Sequence, residues 1–235
     1  MLYYNSKKYH HGWDVLYLSS NAFCNRKVLL VRHGRTDWND VNRFQGRSDI
    51  PLNEEGLLQA TKLAKRLESW PVDVVYTSPM SRARQTAEAI ASQHGKEPVV
   101  LEGLTEVCFG SWEGQHLRSI RETNHDRLQK WLKDPFFSMP EGAETWDAIR
   151  ARVERVVDVL FRTDYQRVVM VSHGGTMRAL YVVLLGLDPH TVWSVKASNC
   201  AMSGVEIREH QSSLAFANDD LHLKGIPEGI RLPVW

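Results

Sequence analysis

Val28-Leu29-Leu30-Val31-Arg32-His33-Gly34 and Val168-Val169-Met170-Val171-Ser172-His173-Gly174 follow one plan. Each opens with four apolar residues rich in valine, the pattern of a strand buried on both faces of a parallel sheet. Each then breaks at a histidine followed by glycine, where the chain must turn. In open α/β sheets, ligands bind at the carboxyl ends of the strands. The two histidines therefore share one address, although they lie far apart in the chain.

Working outward from these stretches, the text alternates between strand and helix. Asn53 precedes a helical pattern of Leu57, Leu58, Leu63, Ala64 and Leu67 and is placed to cap it. Val72 to Tyr76 reads as a second strand, then Thr77-Ser78-Pro79 and a helix from about Ser81 to His94. Val99 to Leu101 reads as a third strand. Residues 110–165 read as mainly helical, broken near Asp134-Pro135 and Met139-Pro140. Trp146, Ile149, Val153, Val156, Val157 and Leu160 then recur at helical spacing. A helix follows His173 as far as Leu185, and Ala201–Ile207 and Ser213–Ala217 read as closing strands. This alternation predicts a three-layer α/β/α domain with a mostly parallel central sheet and a helical cap. The domain is expected over residues 27–235, with the cap at about 111–146. Residues 1–26 carry no period and form an N-terminal extension.

Composition excludes several classes. With 235 residues, 43% hydrophobic and 24% charged, the chain can bury a core and is not of the disordered type. A net charge of +1 does not suit nucleic-acid binding. No apolar run approaches a membrane span, and Lys7, Lys8 and the interrupted stretch from Trp13 to Phe23 make a poor signal peptide. Cys24, Cys108 and Cys200 are odd in number and lack metal spacing, so reduced thiols in a cytoplasmic protein are expected. A homodimer is the default for the assembly.

The neighbours of the two histidines indicate their chemistry. Arg32 and Arg35 flank His33, and Arg82 follows the second strand. Guanidinium groups bind phosphate oxygens bidentately. The same positive charge repels a divalent cation, and no third ligand stands at a recognisable spacing, so no metal and no cofactor are expected. Nearby cations also lower an imidazole's pKa and keep His33 neutral, with a lone pair for attack on phosphorus. Protonation of a leaving alcohol needs an acid, and Glu106 is the leading candidate, with Glu113, Glu102 and Asp37 as rivals. A carboxyl beside a phosphate dianion holds its proton more tightly. His10, His94, His116, His125, His190 and His210 read as ordinary core or surface groups.

Five motifs in one order carry a family likeness: Leu30-Val31-Arg32-His33-Gly34-Arg35-Thr36-Asp37-Trp38-Asn39, Phe44-Gln45-Gly46-Arg47-Ser48-Asp49-Ile50-Pro51-Leu52-Asn53, Thr77-Ser78-Pro79-Met80-Ser81-Arg82-Ala83-Arg84-Gln85-Thr86-Ala87, Glu106 with Phe109-Gly110-Ser111-Trp112-Glu113-Gly114, and Val171-Ser172-His173-Gly174-Gly175. From about Lys27 to about Leu223 the chain resembles the histidine phosphatase superfamily, also called phosphoglycerate mutase-like. The resemblance implies that His33 is the nucleophile that becomes phosphohistidine. It assigns the phosphoryl oxygens to Arg32, Arg82 and His173, with Asn39 orienting the group. Glu106 becomes general acid, then general base. Thr36, Gln45, Gly46 and Gly174 become contacts on the substrate side.

Within that family, Glu106-Val107-Cys108-Phe109-Gly110 resembles the phosphatase branch, which includes broad-specificity and α-ribazole phosphatases. True mutases carry Glu-Arg-His-Tyr-Gly there. Pro140-Glu141-Gly142-Ala143-Glu144-Thr145 and Asn218-Asp219-Asp220-Leu221-His222-Leu223 resemble further elements of that branch. Hydrolysis of a small phosphomonoester is thus expected. Mutase-type transfer is the alternative, and an inactive phospho-ligand-binding protein ranks below it because the nucleophile and clamp residues are present. Trp112, Trp131, Phe136, Phe137 and Trp146 are expected to pack the cap rather than to read a substrate. Arg43 and Arg47 are expected on a solvated loop.

Overall fold

The computed structural model describes residues 25–208 and 211–225. His10, Cys24, His210 and the expected extension, except its last two residues, lie outside that range. Asn25 and Arg26 open the first strand.

Six strands form one sheet: β1 (Asn25–Arg32), β2 (Val74–Thr77), β3 (Val99–Val100), β4 (Arg167–Ser172), β5 (Met202–Arg208) and β6 (Gln211–Asp219). Their order is β3-β2-β4-β1-β5-β6. The first four are mutually parallel, β5 runs antiparallel to β1, and β6 antiparallel to β5. Among the described residues seven α-helices accompany them: α1 (Asp37–Asp40), α2 (Glu54–Leu67), α3 (Ser81–Ser92), α4 (Leu117–Thr123), α5 (His125–Lys133), α6 (Trp146–Phe161) and α7 (Gly174–Leu185).

Strand side chains alternate between two cores, as a period of two demands. Leu29, Val31, Val75, Val169 and Val171 face Ala60, Leu63, Ala64 and Leu67 of α2 and Ala83, Ala87, Ile90 and Ala91 of α3. Val28, Leu30, Val74, Tyr76, Val168 and Met170 face Ile149, Val153, Val156 and Leu160 of α6 and Met177, Leu180 and Tyr181 of α7. The predicted three layers are present. The Asn53 side chain accepts from Gly56 N, so the expected cap of α2 is in place.

The chain leaves β1 toward α2 on one face, and leaves the neighbouring β4 through α7 on the other. Loops departing in opposite directions open a crevice at the carboxyl ends of β1 and β4. The register pairs Arg32 with Ser172. His33 and His173, next in each chain, are thereby delivered to the same edge.

Between β3 and β4 the chain forms the cap. The stretch expected as broadly helical resolves into α4, α5 and an irregular run before α6, with Asn124 separating the first two at φ −140°. Aromatic rings hold the cap down. Trp131 packs against Phe44, Phe109, Trp112 and Trp193 at centroid distances of 5.5, 6.3, 5.8 and 5.6 Å. Trp112 and Phe136 are buried, and Phe136 packs on Trp146 and Trp193. Phe137 remains exposed and stacks on His190.

Candidate active site

His33 is buried directly after β1, and its backbone N–H donates to Ser172 O at 3.0 Å. Its Nδ1 lies 2.7 Å from Gly34 O. A carbonyl only accepts, so Nδ1 carries the proton and Nε2 holds the lone pair. Burial, followed by the charges of Arg82 and Arg32, holds the ring well below the ordinary imidazole pKa. It is therefore a neutral imidazole with a free nucleophilic nitrogen.

His173 lies 5.0 Å away, ring centre to ring centre, tilted by 59°. Arg82 Nε donates to its Nδ1 at 3.2 Å, which leaves its proton on Nε2, 2.8 Å from Ser78 Oγ. Burial, then Arg82, also depresses this imidazole far below its usual value. The two rings thus stand together uncharged.

Arg82 enters from the first turn of α3 and is fully buried. Besides His173 it donates from Nη1 to Ser48 O and from Nη2 to Gly46 O, each at 2.8 Å. Gly46 adopts φ +51°, and a side chain there would collide with the Glu113 carboxylate, so glycine is required. Arg32, at the end of β1, donates from Nη1 to Ala197 O at 2.6 Å. Burial lowers both arginines, Arg82 to about 10.

Glu106 reaches the amino terminus of α7. Its Oε1 accepts from the backbone N–H groups of Val107, Gly175 and Thr176 at 2.9, 3.1 and 3.1 Å. A helix amino terminus offers unpaired N–H groups and positive potential, so it positions a carboxylate. A Cβ at Gly175 would stand 2.9 Å from Glu106 Oε1, so a side chain there would force the carboxylate away.

The remaining predicted contacts fall around this centre. Thr36 is buried and caps α1: its hydroxyl donates to Asn39 Oδ1 and accepts from Asn39 N. Asn39 Oδ1 also accepts from Asn199 Nδ2 at 3.3 Å. Gln45 is buried with Oε1 unpartnered. Gly174 opens α7, with Arg32 and Arg178 against the space a side chain would fill. Of the rivals to Glu106, Glu113 is used in the loop, accepting from Phe109 N and Arg47 N, while Glu102 and Asp37 are exposed. Arg35 pairs with Asp40 at 2.5 Å rather than joining the cluster.

Sequence reading missed four supporting groups. Asn199 Nδ2 donates to the carbonyls of His33 and Gly34, fixing the backbone at His33 from a distant loop. Ser78 Oγ accepts a hydrogen bond from His173 Nε2. Arg178 stands beside Arg32. Arg152 of α6 spends all five N–H donors: on both oxygens of Glu144, on the carbonyls of Gly103 and Thr105, and on Thr176 Oγ1. It thereby ties the segment carrying Glu106 to the start of α7. Its one sequence signal was a charge on the apolar stripe of Ile149, Val153 and Val156. Among the described residues no group of acids, histidines and cysteines could hold a metal ion. No helix among them is long and apolar enough to cross a membrane.

The chain is similar in sequence and fold to known proteins. Phosphoserine phosphatase 1 of Hydrogenobacter thermophilus is 32% identical over 198 residues, spanning 84% of this chain and 94% of its own. The adenosylcobalamin/alpha-ribazole phosphatase of Salmonella typhimurium is 31% identical over 193 residues, spanning 82% and 96%. The solved structure of mycobacterial glucosyl-3-phosphoglycerate phosphatase complexed with VO3 superposes with a TM-score of 0.77 at 28% identity, covering 82% of this chain and 98% of that one. A family model matches residues 28–220, which include both strand-end histidines, and the chain therefore belongs to branch 1 of the histidine phosphatase superfamily.

Proposed function

We propose that the protein hydrolyses small phosphomonoesters through a phosphohistidine on His33, with Glu106 as general acid and then base. One observation carries this reading: His33 is held neutral with Nδ1–H bonded to Gly34 O, leaving Nε2 free within the field of Arg82 and Arg32. The phosphoryl oxygens bind Arg32, Arg82 and His173. Nε2 attacks phosphorus in line, the P–O ester bond breaks, and Glu106 gives its proton to the departing alcohol. Glu106 then takes a proton from water, the oxygen attacks phosphorus, and the P–N bond breaks to release phosphate and neutral His33. The covalent work is slight, so catalysis rests on positioning and charge. His173 contributes by fixing Arg82, Asn39 by orienting the bound group, and Thr36, Gln45, Gly46 and Gly174 by shaping its surroundings.

The relatives' names, phosphatases of phosphoserine, alpha-ribazole and glucosyl-3-phosphoglycerate, support a small phosphorylated substrate. The free thiols of Cys108 and Cys200 fit a reducing cytoplasm, where we place the enzyme.

The test is turnover of p-nitrophenyl phosphate with and without chelator, alongside 3-phosphoglycerate with both products assayed. We expect chelator-insensitive release of inorganic phosphate, an acid-labile phosphoryl adduct on His33, and a loss of at least about 10⁴-fold in His33→Ala. Formation of 2-phosphoglycerate in place of phosphate would assign the mutase reaction instead.

A further inference from the structure

Positive charge is in excess at one end of the site. Arg32 and Arg178 each feel the charge of one carboxylate, Glu106, whereas Arg82 also feels Asp49 and Glu113. Arg82 is committed to His173, Ser48 and Gly46. Arg178 is not. It lies on the first turns of α7, five residues beyond His173, and its hydrogen bond runs from Nη1 to the Gly174 carbonyl of its own helix at 2.8 Å. Its guanidinium lies over the Trp193 ring, 4.5 Å from the centroid. Among the described residues no carboxylate forms an ion pair with Arg178 or with Arg32.

The two unpaired cations are close together. The point where a Gly174 side chain would begin lies 3.4 Å from Arg178 Nη1 and 3.7 Å from the Arg32 guanidinium carbon. One small molecule therefore reaches both. Burial, then Arg32, pushes the Arg178 pKa down to about 10, a sign that its charge is held at a cost. A cation kept beside another cation without a counter-charge is expensive in a folded protein, and an anionic ligand removes that cost. The other arginines suited to a second anion are occupied. Arg43 Nη2 lies 2.6 Å from His116 Nε2 with its guanidinium over Trp38, and Arg47 pairs with Glu144 at 3.2 Å.

A phosphoryl dianion engages Arg32 and Arg82, and Glu106 must be protonated to act as acid. The one carboxylate whose charge reaches Arg178 is then neutral, and Arg178 is left without a counter-charge. We propose that Arg178, seated on Trp193, is a specificity residue that binds a carboxylate on the alcohol portion of the substrate, so that the enzyme prefers phosphate esters of small hydroxy acids to those of neutral or cationic alcohols. This rests on the phosphatase reading above. The guanidinium fork supplies two parallel N–H donors in the plane a carboxylate needs, and the indole face keeps the fork from turning away.

The experiment compares two matched pairs of esters, O-phospho-L-serine with phosphoethanolamine and 3-phosphoglycerate with glycerol 3-phosphate, differing in the carboxylate. In the wild-type protein we expect kcat/KM to favour the carboxylate ester in at least one pair by roughly 10²-fold. Arg178→Met should bring that ratio to within about threefold of unity, whatever happens to the absolute rates. Arg178→Lys keeps the charge without the fork and should lower the ratio by about tenfold. It carries the test if the methionine variant folds poorly. Equal use of both members of both pairs by the wild type overturns the proposal. So does a variant that lowers both members of the preferred pair by the same factor, or an Arg178→Lys ratio unchanged from wild type. Failure of the wild type to release phosphate from p-nitrophenyl phosphate would instead sink the phosphatase reading, a separate outcome.

Discussion

The floor of the site and its cap are built by different physics. The floor, at the ends of β1, β2 and β4, is polar, buried and closely bonded: each ring nitrogen of His173 has a partner, and Arg82 donates to a ring and two carbonyls. The cap is a chain of edge-on aromatic rings, and the buried indole nitrogens of Trp112 and Trp131, like that of Trp193 packed against it, have no hydrogen-bond partner among the described residues. A bonded floor fixes which reaction occurs, because phosphoryl transfer depends on aimed donors and lone pairs. An aromatic cap fixes stability and the shape above the phosphate, and it can vary without changing the chemistry.

Changes in the floor should then cost rate while sparing stability. For Glu106→Gln we expect kcat on an alkyl phosphate to fall by roughly 10² to 10⁴-fold. A p-nitrophenyl ester, whose leaving group needs little protonation, should lose far less in the step that breaks the ester bond. Single-turnover rates on the two esters decide the matter, and an equal loss on both would remove Glu106 from the acid role.

Changes in the cap should do the reverse. Trp112 is 1% exposed and packs on Phe44 and Trp131. Trp112→Ala should cost about 3 to 5 kcal/mol of stability. Chemical denaturation measures this, and kcat on p-nitrophenyl phosphate should stay within about tenfold. A rate loss as large as that of Glu106→Gln would erase the distinction between the two regions.

The smallest effect separates the regions by pH. His33, His173 and His222 are all depressed in the folded protein, by burial first and arginine second, His222 to about 4. The unfolded chain takes up protons near the ordinary imidazole value of about 6.5, whereas the folded chain does not. Stability is therefore complete above about pH 6.5 and is lost progressively as pH falls toward the folded values. Melting temperature should drop between about pH 7 and about pH 5, while the reactive nitrogen of His33 stays unprotonated. A kcat/KM profile that falls with a midpoint near 6.5 would show that His33 is not held neutral.

What the sequence disclosed follows the same division. Strands of four apolar residues, the Asn53 cap and the strand-end histidines are local features, readable from neighbours in the chain. His33, His173, Arg32, Arg82 and Glu106 do converge on one sheet edge. Groups recruited across long separations were invisible: Asn199 arrives from the loop before β5, and Arg152 from the far side of the cap. Arg178 escaped because an arginine in an apolar helix reads as an ordinary surface residue until its neighbours in space are known. Thr36 was readable as a site residue, yet a capping box is a local motif that the stronger phosphate pattern obscured.

The pairing of Arg32 with Ser172 has a consequence for how the enzyme comes into being. His33 is synthesised early, but the strand that supplies its partner ring emerges only after the whole cap. β1 lies between β4 and β5, so it stays unpaired on both edges until the later part of the chain has been made. Contacts of such sequence separation close slowly and late. A nascent or truncated chain ending before β4 therefore carries the reactive histidine without the ladder that aims it, and catalytic competence arrives in one step with completion of the sheet.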